Sequence, residues 1–362
     1  MKPEVTVIVP VYNVEKFLPD CLDSLIGQTL KKIAIICVND SSTDSSSDIL
    51  KKYAEKDKRI SVINKKNGGL SSSRNAGLKQ CKTEFVMFCD GDDGFAPTMC
   101  EKMVKAIKDS EADFAACGVD VQYLADKELK KSDDEYYRIK YCGKRRLSHN
   151  IILNTDVSVC NKIFRMSTIK KYDITFPEGL NNEDFYFYNA YAGVSRVAYF
   201  VDEKLYNYIR REGSIMNQDF ARESLSLDHL IVAEKLFDFY KKIKREQSNI
   251  NLLWRLWINS YWFSVCHSSS KSIRAIRQHA KQFVKGKQDY LALTDQEIQN
   301  FINRNVLSSG FSRFVRRVVR FIFNGDWLTK VSVGTRQRRF IERKICDITA
   351  DCNKFIEKIK KD

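Results

Sequence analysis

The sequence predicts an α/β protein with a mostly parallel sheet covered by helices on both faces, followed by an all-helical C-terminal region. Three observations predict this. Over the first 120 residues, short continuous apolar runs alternate with stretches of helical periodicity. Each apolar run ends in polar residues, and beyond residue 217 only helical periodicity remains. A length of 362 residues suits about two domains, which we predict at 1–216 and 217–362.

The predicted elements follow one another in βα order. The first strand, 5–11, is mostly β-branched, and the first helix, 14–26, carries apolar residues three and four positions apart. The later elements are strand 33–38, helix 45–54, strand 60–63, helix 71–80, strand 85–89, helix 97–108 and strand 114–119. Ligands of such open sheets bind at the carboxyl ends of the strands, so the polar residues there form the candidate site.

The rest of the chain follows other patterns. Residues 120–150 are highly charged and poorly periodic, which predicts a loop or lid. Between 157 and 215 the pattern becomes α+β, with an acidic stretch before an aromatic-rich helix. Further on, four aromatic residues at helical spacing predict a helix–helix core: Trp254, Trp257, Tyr261 and Trp262.

Composition and cysteine usage limit the class of protein. The chain is 43% hydrophobic and 30% charged, which excludes general disorder. Its eleven cysteines form no CxxC pair and no Cys/His cluster, so we expect buried, reduced thiols rather than disulfides or structural zinc. No apolar run reaches the ~18 residues of a membrane-spanning helix. The N-terminal run is too short for a signal-peptide core, and we expect a cytoplasmic protein.

The net charge of +15 predicts an anionic partner. Residues 311–345 contain ten basic and two acidic residues, a net charge of +8, and 311–322 has one aromatic-aliphatic and one arginine-rich face. We predict that this helix docks on the anionic inner face of the cell membrane. The alternative is an ordinary domain helix with a solvated basic face. No zinc finger, helix-turn-helix or RNA-binding pattern occurs, so we expect no nucleic-acid partner.

The strongest chemical signal is Asp90-Gly91-Asp92-Asp93, directly after an apolar strand. Three carboxylates within four residues repel one another unless a cation lies among them. Gly91 is expected to allow a sharp turn, so that Asp90 and Asp92 face one site. Oxygen ligands of this kind suit Mg²⁺ or Mn²⁺ shared with a substrate diphosphate. The alternative is an acidic turn without a metal.

Polar residues also follow the other predicted strands. Tyr12 is suited to stacking on a nucleobase or to packing on a neighbouring loop. Arg74 is suited to binding a phosphate or the Asp carboxylates, or is a solvated helix residue. Asp40 is suited to pairing with a base N–H or to capping the next helix. Other candidates for that cap are Ser41, Ser42 and Asp44.

Together the loops carry five motifs in order: PVYN, NDSSTD, NGGLSSSRNAG, FCDGDD and NNED. Over about residues 4–216, this set resembles the inverting family-two glycosyltransferases, which have the Rossmann-like GT-A fold of nucleotide-diphospho-sugar transferases. The resemblance implies that Asp90 and Asp92 hold a metal, Asp92 most directly, and that Asp184, beside Glu183, is the general base. The implied nucleotide-sugar site contains Pro10, Val11, Tyr12, Asn13, Asp40, Asn67, Arg74, Asp90, Gly91 and Asp92.

The sequence departs from this family in one loop. Relatives commonly show Arg, His and Ser contacting the diphosphate after a Tyr-rich strand, whereas this chain reads YNYIRREGS at 206–214. Arg211 stands where some relatives carry a metal-binding His, which puts a third protein ligand in question. Arg210 or Arg211 is expected to neutralise the diphosphate instead, with Ser214 nearby.

The resemblance implies transfer of a sugar from a nucleotide-diphospho-sugar, usually UDP-linked, to a hydroxyl of a growing or lipid-linked surface glycan. It implies inversion in a single displacement assisted by Mg²⁺ or Mn²⁺. The alternatives are a catalytically silent scaffold of the same fold and a basic membrane- or nucleic-acid-binding protein.

Overall fold

The apolar run near the N-terminus forms an interior strand of the sheet. All seven residues of β1 (Val5–Val11) are buried, and it pairs in parallel with β2 (Ile33–Asn39) and with β4 (Phe85–Phe88). β3 (Ile60–Asn64) pairs in parallel with β2. Strands buried on both faces need no polar alternation, which is why continuous apolar runs predict them. The computed structural model describes residues 2–123, 137, 140–210, 223–266, 268, 270–303 and 306.

Three helices connect these strands: α1 (Leu18–Ile26), α2 (Ser46–Lys56) and α3 (Gly69–Gln80). A fourth helix, α4 (Met99–Asp109), follows later in the chain. α1 begins four residues later than predicted, because 14–17 form a turn and Pro19 occupies the first helical turn. α3 lies against β1 and β2 at very close range. A Cβ added at Gly77 would lie 2.4 Å from Ile8 Cγ2, so only glycine permits this approach.

The second half of the sheet is mixed. It contains β5 (Gly94–Phe95), β6 (Phe114–Tyr123), β7 (Gly143–Arg146), β8 (Lys162–Arg165) and β9 (Val197–Arg210). β8 lies antiparallel between β4 and β6, and β9 runs parallel to β6. The described strands form one nine-stranded sheet in the order β3-β2-β1-β4-β8-β6-β9-β5, with β7 also paired to β9. The predicted α/β class with a mostly parallel sheet is confirmed.

The prediction of a loop or lid over 120–150 is wrong in part. β6 continues to Tyr123, and β7 pairs antiparallel with β9. β7 is the sequence GKRR, which is mostly exposed and is held by backbone hydrogen bonds, so it has no apolar alternation to reveal it.

An aromatic core fixes the helix that carries the Glu183-Asp184 pair. This part of the chain contains α5 (His149–Asn154), α6 (Met166–Tyr172) and α7 (Glu183–Ala192). Phe187 of α7 stacks on Phe176 at 4.2 Å between ring centroids and meets Phe88 and Phe164 edge-on. Edge-to-face packing of this kind adds to the burial of apolar area and holds α7 against the sheet.

The remaining described elements are helical. They are α8 (Glu223–Lys242), α9 (Ile250–Cys266), α10 (Ser270–Gly286), α11 (Gln288–Ala292) and α12 (Gln296–Ile302), with a 3₁₀ turn at 247–249. Trp254, Trp257 and Tyr261 are fully buried, which confirms the predicted helix–helix core, and Trp262 contacts Phe301.

The chain divides into two compact units, Met1–Asp219 with Asp238–Ile243, and Phe220–Phe237 with Lys244–Asp362. The last turn of α8 belongs with the first unit, where the Tyr240 hydroxyl donates to the Asn189 carbonyl. The domain division at 216/217 stays a prediction.

Two further predictions concern cysteines and the membrane. Seven described cysteines are free and buried and Cys142 is free and exposed, which confirms the expectation for most thiols. Within the described ranges, no helix is long and apolar enough to cross a bilayer. The basic segment 311–345 lies outside the described residues.

Candidate active site

The loops after β1 and β2 are joined by hydrogen bonds. Asn13, in the left-handed region at φ +52°, donates its N–H to the Ser42 hydroxyl at 3.2 Å and accepts the Thr43 N–H at 2.8 Å. Pro10 and Val11 are buried at the end of β1, whereas Tyr12 is 52% exposed. Tyr12 therefore has a free aromatic surface of the kind that stacking on a base needs.

Asp40 caps α3 rather than the helix that follows it. Its carboxylate, 2% exposed in the fold, accepts the Gly69 N–H at 2.7 Å, the Gly68 N–H at 3.0 Å and the Lys65 ammonium at 2.5 Å. At the start of α2, Asp44 accepts the Ser46 N–H instead. Of the two alternatives for Asp40, the cap on the following helix is wrong, because the fold brings the start of α3 beside it.

The engagement of Asp40 also bears on its predicted nucleoside role. Both of its carboxylate oxygens are hydrogen-bonded, so pairing with a base N–H requires a present donor to move or to share. Asn67 donates its side-chain N–H to the Asp40 carbonyl at 3.1 Å, which ties the two loops together.

The acidic loop after β4 packs tightly against the end of β1. A Cβ added at Gly91 would lie 3.0 Å from the Pro10 carbonyl oxygen and 3.2 Å from Val14 Cγ2. Gly91 does not have a positive φ, so close approach, and not a sharp turn, requires glycine here. This corrects the reason that the sequence suggested for Gly91.

Asp93 anchors the acidic loop to the end of β9. The residue is 3% exposed, accepts the Tyr206 hydroxyl at 2.5 Å and accepts the Ile209 N–H at 2.8 Å. Burial, together with the neighbouring Asp92 and Asp90, raises the pKa of Asp93 well above its usual range. Arg210 follows Ile209 directly, as the last residue of β9. The predicted Arg211 and Ser214 lie outside the described residues.

Arg74 brings the other predicted groups together. Its guanidinium is buried and donates to Glu183 at 2.7 Å, to Asp184 at 2.6 Å and to Asp90 at 2.8 Å. Two of these acceptors belong to α7 and the third to the acidic loop. Asp184 is 110 residues from Arg74 along the chain. The interpretation of Arg74 as a solvated helix residue is therefore wrong. Three carboxylates share one cation, which leaves an excess of negative charge.

Asp184 is held on both sides. One oxygen accepts from Arg74, and the other accepts the Val159 N–H at 3.1 Å. Burial raises the pKa of Asp184 to about 7, with Glu183 and Asp90 adding to the rise and Arg74 opposing it. A carboxylate with a pKa near neutrality is suited to general-base catalysis. The N-cap residue of α7 is Asn182, and Asp184 lies in the first turn of that helix.

The donor set at the acidic loop fits a hard divalent cation. Asp90 and Asp92 are partly exposed and offer only carboxylate oxygens, which Mg²⁺ and Mn²⁺ prefer. The described parts of the chain contain no group of three or more His, Cys, Asp or Glu side chains able to hold a metal. The two aspartates therefore fit a site that takes its remaining ligands from a substrate diphosphate and water.

The relation to known proteins agrees with this geometry. Residues 6–173 match the family described as Glycosyl transferase family 2. That span contains all of β1 but its first residue, together with Asp40, Arg74 and the acidic loop. This part of the chain is therefore similar to a family 2 glycosyltransferase domain. The matched span ends before Glu183 and Asp184, whose place in the site follows from their contacts with Arg74.

Several bacterial glycosyltransferases are similar to this chain. EpsJ of Bacillus subtilis, an uncharacterized glycosyltransferase, is 45% identical over 118 residues, covering 33% of this chain and 34% of EpsJ. EpsH of Bacillus subtilis is 33% identical over 230 residues, 60% of this chain and 63% of EpsH. The poly(ribitol-phosphate) beta-N-acetylglucosaminyltransferase TarS of Staphylococcus aureus is 25% identical over 307 residues. The chain spans 51% of TarS. It therefore covers less than two thirds of the length of each of these three relatives.

Solved structures show the same fold. The crystal structure of TarS 1–349 with UDP-GlcNAc has a TM-score of 0.54 at 21% identity and covers 83% of this chain and 92% of that chain. The mannosyltransferase PcManGT of Pyrobaculum calidifontis, with GDP-Man and Mn²⁺, has a TM-score of 0.51 at 14% identity, covering 90% and 88%. At these identities the likeness establishes the fold alone, which is the GT-A fold.

Sequence reasoning missed three residues of the site region. Lys65 pairs with Asp40, Asp93 anchors the acidic loop, and Val159 donates to Asp184. Asp93 had a signal, since it belongs to the acidic motif. Lys65 and Val159 had none, because a lysine in a loop and a backbone N–H look the same wherever they occur.

Proposed function

We propose that this protein transfers a sugar from a nucleotide-diphospho-sugar to a hydroxyl of a bacterial surface glycan, with inversion at the anomeric carbon. One observation carries the proposal: the buried Arg74 joins Asp90 of the acidic loop to the Glu183-Asp184 pair. The group that handles the leaving diphosphate and the group that activates the acceptor then meet at one guanidinium.

The donor side uses the loops at the carboxyl ends of β1 to β4. Tyr12 stacks on the base, Asp40 and Asn67 line the nucleoside, and Asp90 and Asp92 would hold Mg²⁺ or Mn²⁺, Asp92 most directly. When bound, the divalent ion offsets the negative charge that grows on the departing nucleoside diphosphate. Arg210 and Arg211 add positive charge from the segment after β9, where a guanidinium fork suits phosphate oxygens.

The acceptor side uses Asp184 as general base. The acceptor hydroxyl attacks the anomeric carbon, the bond from that carbon to the diphosphate oxygen breaks, and the diphosphate keeps the electron pair. Asp184 takes the hydroxyl proton. A single displacement from the face opposite the leaving group inverts the configuration. Its pKa of about 7 lets Asp184 be ionised before the reaction and still accept the proton during it.

The relatives suggest which substrates to test first. TarS is named for transferring N-acetylglucosamine to poly(ribitol-phosphate), and its structure contains UDP-GlcNAc. We therefore propose a UDP-linked hexose or N-acetylhexosamine as donor and a growing or lipid-linked surface polymer as acceptor, with no nucleic-acid partner.

We further propose that the protein works in the cytoplasm, peripherally bound to the inner face of the membrane. The support is the net charge of +8 over 311–345. Each Lys or Arg near an anionic surface contributes about 1 kcal/mol, so binding should weaken with salt. Deletion of 311–362 should release the protein from anionic vesicles and leave donor turnover in place. Equal binding to neutral and anionic vesicles would contradict this.

The deciding experiment identifies the product. A panel of UDP-sugars with Mn²⁺ is first screened for thermal stabilisation, and the best donor is then incubated with polymer acceptors. NMR of the product gives the anomeric configuration relative to the donor. We expect inversion, and Asp184→Asn should lower kcat by about 10²–10⁴-fold with unchanged donor affinity.

The control is Asp109→Asn, which makes the same change from carboxylate to amide at the end of α4, away from the site. It should keep full activity. Retention of configuration, or full activity of Asp184→Asn, would overturn the mechanism. The absence of any donor binding across the panel would favour the silent scaffold.

A further inference from the structure

Behind Asp184 lies a buried lysine that the reaction above does not use. Lys162, the first residue of β8, is 0% exposed. Its ammonium donates to the Ser158 carbonyl at 2.6 Å, to Asp156 at 2.9 Å and to the Asn161 side-chain oxygen at 2.9 Å. It also lies 5.2 Å from the ring centroid of Tyr188, which belongs to the same helix as Asp184.

The peptide group between Ser158 and Val159 links this lysine to the catalytic pair. Lys162 binds its carbonyl oxygen, and the N–H of the same peptide donates to Asp184 at 3.1 Å. A cation on the carbonyl oxygen draws electron density from the amide, so the N–H becomes a stronger donor, as in other hydrogen-bond chains. The lysine thus acts on Asp184 through one rigid, planar group.

The loop that contains this peptide is fixed from the opposite side. The Asn161 side chain donates to the Cys117 carbonyl at 2.8 Å, and the Cys117 N–H donates to the Asn161 carbonyl at 3.0 Å. Asn161 therefore ties the loop to β6, and Lys162 sets the orientation of the one peptide that reaches Asp184.

We infer that Lys162 is a positioning residue for Asp184, acting through the Ser158–Val159 peptide. The inference rests on the proposed function, since it assigns the lysine a role only if Asp184 is the base. An ionised carboxylate gains more from a strengthened donor than a neutral one does, so Lys162 favours the ionised, proton-accepting form.

The other groups that face Asp184 set the background for a test. They are Arg74 from α3, Glu183 from its own helix, Asp90 from the acidic loop and Cys160 from the loop before β8. None of them contacts Lys162 by any of the described hydrogen bonds or ion pairs, so a variant at 162 leaves these four in place.

The test compares Lys162→Met with the double variant Lys162→Met/Asp156→Asn. The single variant leaves the Asp156 carboxylate without its cation and is at risk of misfolding. The double variant removes both charges and keeps similar volumes. Lys108→Met is the control, because Lys108 pairs with Glu4 in an exposed ion pair. Donor affinity, kcat and the pH dependence of kcat are measured for each protein.

In the double variant we expect donor affinity to be unchanged and the acidic limb of the kcat profile to move upward by about one pH unit. At a pH on that limb, kcat should fall about tenfold, and at high pH it should recover. Lys108→Met should match the wild type. A purely structural role would instead lower kcat equally at every pH.

An unmoved limb, or an equal loss at every pH, overturns the inference. Asp184→Asn is measured in the same series to separate the two proposals. If Asp184→Asn keeps activity, the proposed base fails. If it loses activity while the double variant keeps the wild-type profile, only the role of Lys162 fails.

Discussion

Asp40 and Asp184 are both carboxylates paired with a cation near the carboxyl ends of the parallel strands, but their charges are balanced differently. Asp40 has Lys65 to itself and also accepts two backbone N–H groups. Asp184 shares Arg74 with two other carboxylates and accepts one backbone N–H. The first arrangement is balanced, and the second carries more negative than positive charge.

The difference indicates two kinds of work. A balanced carboxylate at a helix start fixes loops in place, and a new ligand must compete with its existing partners. In the cluster of Arg74 with Asp90, Glu183 and Asp184, carboxylates outnumber cations, so binding a proton or a metal ion lowers its electrostatic energy. A general base and a metal-binding loop both require this. We therefore expect substitutions at Asp40 to act mainly on loop stability, and changes around Arg74 to act on chemistry as well.

The largest effect should come from Arg74→Met. Three buried or half-buried carboxylates would lose their shared cation, which should destabilise the protein by about 3–5 kcal/mol and abolish transfer. Urea unfolding and a transfer assay measure the two effects. Arg165→Met is the control, since Arg165 pairs with the exposed Glu84 and should cost about 1–2 kcal/mol. Equal losses in the two variants would remove the distinction between shared and unshared cations.

The metal should bind at the acidic loop beside the Arg74 cluster and not at the Asp40–Lys65 pair. A donor at 100 times its Kd with Mn²⁺ should stabilise the protein by about 2.7 kcal/mol. Asp92→Asn or excess chelator should remove most of this gain without lowering the stability of the free protein. Thermal unfolding with and without donor measures it. Undiminished stabilisation in Asp92→Asn would show that the acidic loop does not hold the metal.

The pH dependence should show the same asymmetry. Because the pKa of Asp184 is raised to about 7, kcat should fall about tenfold per pH unit below that value as the base becomes protonated. At higher pH the ionised base predominates and the profile should level. Rates measured from pH 5 to 9 at saturating donor test this, and a flat profile through neutrality would place the base elsewhere.

The smallest effect should come from Asp40→Asn. The amide keeps an acceptor for one of the α3 N–H groups but loses the charge, so we expect about 1 kcal/mol of destabilisation. The kcat of the variant should stay near that of the wild type. If the variant loses catalytic efficiency, the loss should come from weaker donor binding. Urea unfolding and steady-state kinetics separate these effects. A kcat loss as large as that of Asp184→Asn would contradict the division between the two regions.

The course of the first half of the chain was predictable from sequence, and the reason is local. β1 has the predicted bounds, and β2 to β4 differ from theirs by one residue, since each is a continuous apolar run between amphipathic helices. α1 was placed too early because its first apolar residues belong to a turn before Pro19. β7 was missed because an exposed strand is held by its backbone partners and leaves no pattern in its side chains.

What the sequence by itself determined is the order of strands and helices and the residue types that follow each strand, since apolar periodicity and adjacency in the chain settle both. It therefore placed Asp40, Arg74 and the acidic loop at one edge of a sheet. Only the tertiary structure decided their partners: Arg74 with Asp184, Asp40 with α3, and Lys162 with the peptide before Val159. These contacts depend on which buried groups the packing of separate elements brings within hydrogen-bonding distance, and that distance is not encoded in any local pattern.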